Sequence, residues 1–136
     1  MLRLFRILTA VLFAIGLLSC SKPAKPEEAE KASVIFFDRL KEADYDRIYD
    51  DASKSFRDQN ARATAADKLK QIAALGTIHD YTRLSMTLGE EGGQNVVLPV
   101  YTVRFDQVRA EVTLKLIDEN GNWKLLGFAV RPLTGS

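Results

Sequence analysis

The stretch VRAEVTLKLIDENGNWKLLGFAV, residues 108–130, decides the fold of this chain. Apolar residues occupy every second position from Val108 to Leu116, which is the pattern of a strand with one buried face. Asn120 and Gly121 form the dipeptide most typical of a two-residue hairpin turn. Because Trp123–Val130 is again rich in apolar residues, the stretch predicts an antiparallel β-hairpin.

The last strand of this hairpin carries apolar residues on both of its predicted faces. Strict alternation places Trp123, Leu125, Gly127 and Ala129 on one face and Lys124, Leu126, Phe128 and Val130 on the other. A strand that is apolar on both faces is typical of a covered position in a sheet. We therefore expect a central or well-covered strand with Trp123 mostly buried.

Two further strands precede the hairpin. The first shows period-two alternation at Leu84, Met86 and Leu88, and glycines at positions 89, 92 and 93 then indicate a loop. The second, Val96–Phe105, is rich in β-branched and aromatic residues. Its Pro99 predicts an edge position or a bulge, since proline has no N–H for the ladder.

Helical periodicity dominates the region before the strands. The predicted helices are a first with Ala29, Phe36 and Leu40 on its apolar face, a second capped by Asp44 and interrupted near Ser53, and a third with a Thr64–Asp67 capping box and Gly76 at its end. Helices followed by an antiparallel meander give an α+β fold. We expect N-terminal helices packed on one face of a curved antiparallel sheet.

Composition excludes several function classes. The chain has 19 Lys and Arg residues against 18 Asp and Glu residues, so it lacks the basic excess of a nucleic-acid-binding domain. Its single cysteine and single histidine, His79, argue against a disulfide framework and against a zinc site. We therefore predict no nucleic acid, no metal and no cofactor.

The N-terminus has the layout of an export signal. Arg3 and Arg6 precede the uncharged, largely apolar run Ile7–Leu18. A membrane-spanning helix needs roughly 20 apolar residues, with a lower limit near 17, so this run is too short to span a bilayer comfortably.

The sequence Leu17-Leu18-Ser19-Cys20 closes this run and resembles the lipobox of bacterial lipoproteins. The resemblance implies cleavage between Ser19 and Cys20 and attachment of a diacylglyceryl group, with chains such as palmitate, to the Cys20 sulfur. In a Gram-negative host, Ser21 in place of Asp implies the outer membrane, with the domain facing the periplasm. Residues 1–19 are then a signal peptide removed on export.

Residues 20–28 are predicted to be a lipidated flexible tether, and residues 29–134 the folded domain. The tether region contains Pro23, Pro26 and several charges but no large apolar side chain, so it cannot build a core. Fully extended, it reaches on the order of 30 Å.

The helix-first order carries a second resemblance. Phe36-Phe37, Asp44-Tyr45-Asp46, Tyr49 and the ending Gly121–Phe128 resemble the nuclear transport factor 2-like (cystatin-like) superfamily, and in particular small bacterial lipoproteins of that fold. The resemblance implies a cavity between helices and sheet. Tyr49, Tyr101 and Trp123 are the candidate lining residues; alternatively, these aromatic side chains fill the core and its margins.

Other polar clusters favour structural roles. Asp44, Asp46, Asp50 and Asp51 lack the turn glycine and closing Glu of an EF-hand loop and suit helix capping. His79 and Asp80 are neighbours on a strand and should point to opposite faces. No catalytic set aligns with the superfamily's enzymes.

Two functions remain open. The leading hypothesis is a membrane-anchored cell-envelope lipoprotein whose non-enzymatic domain binds a partner protein or a small envelope ligand. The alternative is a small-molecule enzyme of the isomerase or dehydratase type that uses the cavity. A buried carboxylate facing an apolar cavity would favour the enzyme, and a filled interior with an exposed apolar groove would favour the binding domain.

Overall fold

The computed structural model describes residues 22–134. Four helices come first and four strands follow: α1 Pro26–Lys41, α2 Tyr45–Asp50, α3 Lys54–Gln59, α4 Arg62–Ala73, β1 Asp80–Glu91, β2 Gln94–Arg104, β3 Arg109–Glu119 and β4 Asn122–Leu133. The predicted α+β class is confirmed.

The sheet is an antiparallel meander with the spatial order β1-β2-β3-β4. Glu91 pairs with Gln94 and Glu119 pairs with Asn122, so the β1–β2 and β3–β4 turns lie at the same end of the sheet. We call this end, made by residues 91–94 and 119–122, the sheet tip. The β2–β3 turn, with Gln107, lies at the opposite end.

Helix α1 begins earlier than the sequence predicts. Pro26 occupies the first turn, where its missing N–H is not needed, and Glu27 and Glu28 follow with charges that favour a helix N-terminus. Residues 26–28, which were assigned to the tether, are therefore helical. From Ala29 onward the predicted apolar face is observed, with Phe36 and Leu40 buried.

The region after α1 contains three helices instead of two. The Ser53 hydroxyl accepts a hydrogen bond from the Phe56 N–H at 3.1 Å and starts α3 as a separate short helix. The interruption expected near Ser53 is thus present. The predicted Thr64 capping box is wrong, because α4 starts at Arg62 and Ala61 is its N-cap without a side-chain cap.

One face of the sheet and the helices form a single core. Aromatic contacts dominate beneath α1: the Phe37 ring stacks on Tyr81 at 4.3 Å and meets Tyr101 edge-on at 5.1 Å between ring centroids. The sheet contributes alternate residues of β2 and β3, which are fully or almost fully buried: Val97, Tyr101, Val103, Ala110, Val112, Leu114 and Leu116.

The predicted first strand is confirmed as β1, which continues through Gly89 to Glu91, and Gly92 and Gly93 form the turn after it. A bulge leaves Leu84 without a partner, and Leu84 and Leu88 are 57% and 60% exposed. The prediction for Pro99 in β2 is wrong. Pro99 lies in an interior strand and its side chain is buried. The β2–β3 pairing steps from Val97 directly to Val100, so the ladder opens where proline cannot donate.

A second bulge overturns the predicted faces of β4. Leu125 pairs with Leu116 and Gly127 pairs with Lys115, which leaves Leu126 unpaired and shifts the alternation by one residue. Phe128 and Val130 therefore face the same core as Leu125. Strand β4 is an edge strand, not a central one, and Trp123 is only partly buried.

Candidate functional site

The strongest sequence prediction concerns residues outside the described part of the chain. Ser19 and Cys20, the predicted cleavage position and lipid attachment site, precede residue 22, where the structure begins. Among the helices within residues 22–134, none combines the length and the apolar composition that a bilayer-spanning helix requires.

Tyr49 packs at the edge of the helical layer. Its hydroxyl donates to the carbonyl oxygens of Asn60 at 2.7 Å and Arg57 at 3.1 Å. The Arg62 guanidinium lies 4.7 Å from the ring centroid, within cation–π range. Tyr49 thus links the α3–α4 connection to α2, and both its hydroxyl and its ring make structural contacts.

Tyr101 lies in the core beneath α1. Its side chain is fully buried, and its hydroxyl donates to Glu30 Oε2 at 3.0 Å. Arg83 donates to the same carboxylate oxygen at 3.0 Å. Burial raises the pKa of Tyr101 to about 12, so the phenol keeps its proton at neutral pH and cannot act as a base there.

Of the three predicted lining residues, Trp123 borders a groove. Its indole Nε1 donates to the Lys25 carbonyl oxygen at 2.7 Å, and its ring packs beside Leu125 at the start of β4. Tyr49, Tyr101 and Trp123 therefore occupy three different places and do not share one cavity.

The groove beside Trp123 runs between α1, α2 and the start of β4, and we call it the α1–β4 groove. Its volume is about 220 Å³. Its walls are mainly apolar, and Ile35 is 48% exposed on α1. The lining side chains are Ala32, Ile35, Phe36, Ile48, Leu116, Trp123 and Leu125, with Arg39, Asp51 and Lys124 supplying the charges.

The charges of the α1–β4 groove are partly neutralised. Arg39 Nη1 contacts Asp51 Oδ2 at 2.5 Å, and both side chains remain partly exposed. Lys124 adds a second cation beside Trp123. The groove can therefore accept an apolar group at its floor and a polar or anionic group at its margin.

No carboxylate is buried in the described chain, residues 22–134. Besides the Tyr101 phenol, the buried side chains with a polar atom that the structure shows are Ser33 and Ser53. The Ser33 hydroxyl donates to the Ala29 carbonyl oxygen at 3.1 Å, while Ser53 caps α3. Both hydroxyls thus have structural partners.

A histidine–carboxylate pair was missed at sequence level. His79 Nε2 lies 2.6 Å from Asp106 Oδ1, while Asp80 pairs with Arg104 at 2.6 Å. The Thr77 backbone N–H donates to Asp106 Oδ2 at 2.8 Å, and this bond, followed by the contact with His79, lowers the pKa of Asp106. The meander predicts the proximity, because residues preceding β1 must lie beside the end of β2.

The pair joins the α4–β1 loop to the β2–β3 turn at the protein surface. Both side chains are exposed by 40% or more. Within residues 22–134, no group of three or more His, Cys, Asp or Glu side chains is arranged to hold a metal ion.

A scan against protein-family models found no match. A search of curated proteins found no match either. The N-terminal sequence and the α1–β4 groove are therefore the features from which we infer a function.

Proposed function

We propose that the protein is a bacterial lipoprotein, anchored through acylated Cys20 outside the cytoplasm, whose domain binds a partner and does not catalyse a reaction. The observation that carries the anchor is Leu17-Leu18-Ser19-Cys20 at the end of the apolar run Ile7–Leu18. Two or three acyl chains give stable attachment, whereas one chain holds a protein only marginally. In a Gram-negative host, Ser21 directs the protein to the outer membrane, facing the periplasm.

The interior of the domain supports binding over catalysis. Phe37 and Tyr101 fill the space between α1 and the sheet with packed aromatic rings. The phenol proton of Tyr101 is held, and no carboxylate within residues 22–134 is buried against a cavity. An isomerase or dehydratase needs a buried carboxylate or a similar proton-transfer group facing a cavity. The geometry therefore favours a binding domain over an enzyme of that type.

The size of the α1–β4 groove favours a protein partner over a small ligand. Pockets that enclose drug-sized ligands have volumes of roughly 300–1,000 Å³, whereas this groove has about 220 Å³. One apolar side chain of a partner fits such a space beside Ile35 and Trp123. We propose this groove as the partner-binding site.

We further propose that the fold is a variant of the nuclear transport factor 2-like superfamily. Support comes from the order of four helices before four strands and from the meander on which α1 packs. In such a variant, core side chains such as Phe37 and Tyr101 would occupy the place of the superfamily cavity, which supports a non-enzymatic role.

The anchor is tested with two substitutions at the cleavage position. In the native host, Cys20→Ala should release the protein from the membrane fraction or leave it unprocessed. Ser19→Ala keeps a small residue before the cysteine and should behave like the wild type. An unmodified mature Cys20, found by mass spectrometry of the native protein, would contradict the proposal.

The groove is tested by site-specific photocrosslinking in intact cells of the native host. A crosslinking side chain at Ile35, which is exposed in the α1–β4 groove, should give a discrete protein adduct. The control position is Leu84, which is similarly exposed but lies on the far strand β1. Equal adducts at both positions, or none at Ile35, would reject the groove as the binding site.

A further inference from the structure

The segment that follows the proposed lipid attachment site is fixed to the sheet tip. We call Lys22–Lys25 the strap. The Ala24 N–H donates to Asp118 Oδ2 at 2.9 Å, and Trp123 Nε1 donates to the Lys25 carbonyl oxygen at 2.7 Å. Ala24 is only 7% exposed. The strap is therefore held by two hydrogen bonds and one buried side chain, and it does not behave as a free linker.

The β3–β4 turn is shaped to receive the strap. Asp118 Oδ1 accepts the Gly121 N–H at 2.8 Å, so one carboxylate joins the turn to the strap. Gly121 has φ +85°, and a Cβ there would lie 2.6 Å from the Lys22 carbonyl oxygen. Glycine is thus required both for the turn conformation and for the close approach of the strap.

The strap leaves almost no free chain between the lipid and the domain. If cleavage precedes Cys20, only Cys20 and Ser21 lie before Lys22. Two residues reach about 7 Å when extended. The tether that the sequence predicts would reach on the order of 30 Å. The point of lipid attachment therefore stays close to the sheet tip.

We propose that the sheet tip is a membrane-facing surface that lies against lipid head groups, with the strands directed away from the bilayer. This inference rests on the proposed lipid anchor. It makes the strap an orienting device, and it places the end of the α1–β4 groove that contains Trp123 beside the membrane. The β2–β3 turn, with Gln107, is then the part of the sheet farthest from the lipid.

The chemistry of the sheet tip suits this position. Six of the eight residues of the sheet tip are uncharged: Gly92, Gly93 and Gln94 in one turn and Asn120, Gly121 and Asn122 in the other. The other two are carboxylates with partners on the protein, since Glu91 pairs with Lys115 and Glu119 accepts the Lys54 backbone N–H. The uncharged turn residues can therefore contact polar head groups.

The test measures the distance of each end of the sheet from the head groups. Asn122→Cys and Gln107→Cys place a thiol at exposed positions at the two ends. Acylation consumes the Cys20 thiol, so a fluorescent maleimide labels only the introduced cysteine. The purified lipidated protein is placed in phosphatidylethanolamine–phosphatidylglycerol vesicles that carry a nitroxide on the head group.

We expect several-fold stronger quenching at position 122 than at position 107. A second form carries a Gly-Ser linker of roughly ten residues between Ser21 and Lys22, with an average span of about 18 Å. The linker leaves the strap intact, so the melting temperature should not change, but the difference in quenching should largely disappear.

Two outcomes overturn the inference in distinguishable ways. If the protein floats with the vesicles but both labels are quenched equally, the anchor stands and the orientation is wrong. If the protein does not float with the vesicles and mass spectrometry finds no acyl group on Cys20, the proposed anchor fails, and the orientation fails with it.

Discussion

Replacing Tyr101 by Phe removes one hydroxyl from the centre of the domain and leaves the ring in place. The Tyr101 ring meets Phe37 edge-on and is fully buried, so the substitution creates no large cavity. What is lost is the hydrogen bond from the hydroxyl to Glu30 Oε2 at 3.0 Å. The variant therefore isolates a single polar contact between β2 and α1.

The expected loss in the free energy of unfolding is about 1.5 kcal/mol at neutral pH. A hydrogen bond to a charged group contributes about 1.5–3 kcal/mol. The lower value applies here, because the Glu30 side chain is 41% exposed and keeps Arg83 as a partner, so water replaces the lost donor. This loss is measurable against a total stability of about 5–15 kcal/mol.

The size of the loss should depend on pH in a defined direction. Burial raises the folded-state pKa of Tyr101 from 10.0 to about 12. A raised pKa gives stability that is fully present below the unfolded-state value and is lost as the pH rises through the folded-state value. The wild type should therefore lose stability between pH 10 and pH 12, and Tyr101→Phe should lack that part of the decline.

Urea unfolding of both proteins across this pH range measures the effect. The difference in the free energy of unfolding between wild type and Tyr101→Phe should decrease as the pH approaches 12. The control is Val103→Ala, which opens a cavity on the same strand face and should cost about 2 kcal/mol at every pH. A difference in the free energy of unfolding that stays constant from neutral to alkaline pH would refute the prediction that burial raises the pKa of the Tyr101 phenol.

Three further predictions concern the core, the surface pair and metals. Phe37→Ala removes the ring that contacts both Tyr81 and Tyr101, and chemical denaturation should show a loss of about 3–5 kcal/mol; a loss below about 1 kcal/mol would contradict the packing. Asp106→Asn removes a carboxylate whose pKa is lowered by the Thr77 N–H and His79. A lowered folded-state pKa stabilises the fold above the unfolded-state pKa, and this stabilisation is lost as the pH falls through the folded-state pKa. The free energy of unfolding, followed by circular dichroism, should therefore decrease less steeply with falling pH in the variant than in the wild type. Treatment of the purified domain with a metal chelator should leave its melting temperature unchanged, and a decrease would reveal a structural metal.

The sequence predicted the class and order of the elements because those depend on local patterns. Alternation from Val108 to Leu116 and the Asn120–Gly121 pair gave the β3–β4 hairpin that the structure contains. The same patterns failed within strands. A bulge at Leu126 reverses the faces beyond it, and the apolar run offers no local sign of an unpaired residue, since Leu126 resembles its neighbours.

The candidate site was harder to predict because aromatic residues serve several purposes. Tyr49, Tyr101 and Trp123 are alike in size and in having one polar atom. Their positions are set by what that atom contacts: the Asn60 carbonyl, the Glu30 carboxylate and the Lys25 carbonyl, respectively. These partners are between 11 and 98 residues away in sequence, so no periodicity identifies them.

The strap was also hard to predict from local sequence, because its composition indicates a flexible segment. Two prolines and several charges in residues 22–28 predict a free tether, whereas the structure starts α1 at Pro26 and buries Ala24 against the domain. Composition does not indicate backbone atoms that contact another turn. The decisive residue is Gly121. The Asn-Gly turn already explains a glycine there, so the sequence does not indicate that this glycine also allows the close approach of the Lys22 carbonyl oxygen. Alanine at this position would be strained at φ +85° and would place its Cβ 2.6 Å from the Lys22 carbonyl oxygen, so it would disturb both the turn and the strap. If Cys20 is acylated as proposed, the short segment after it would orient the domain as well as tether it, because Asp118 and Gly121 hold the strap at the β3–β4 turn.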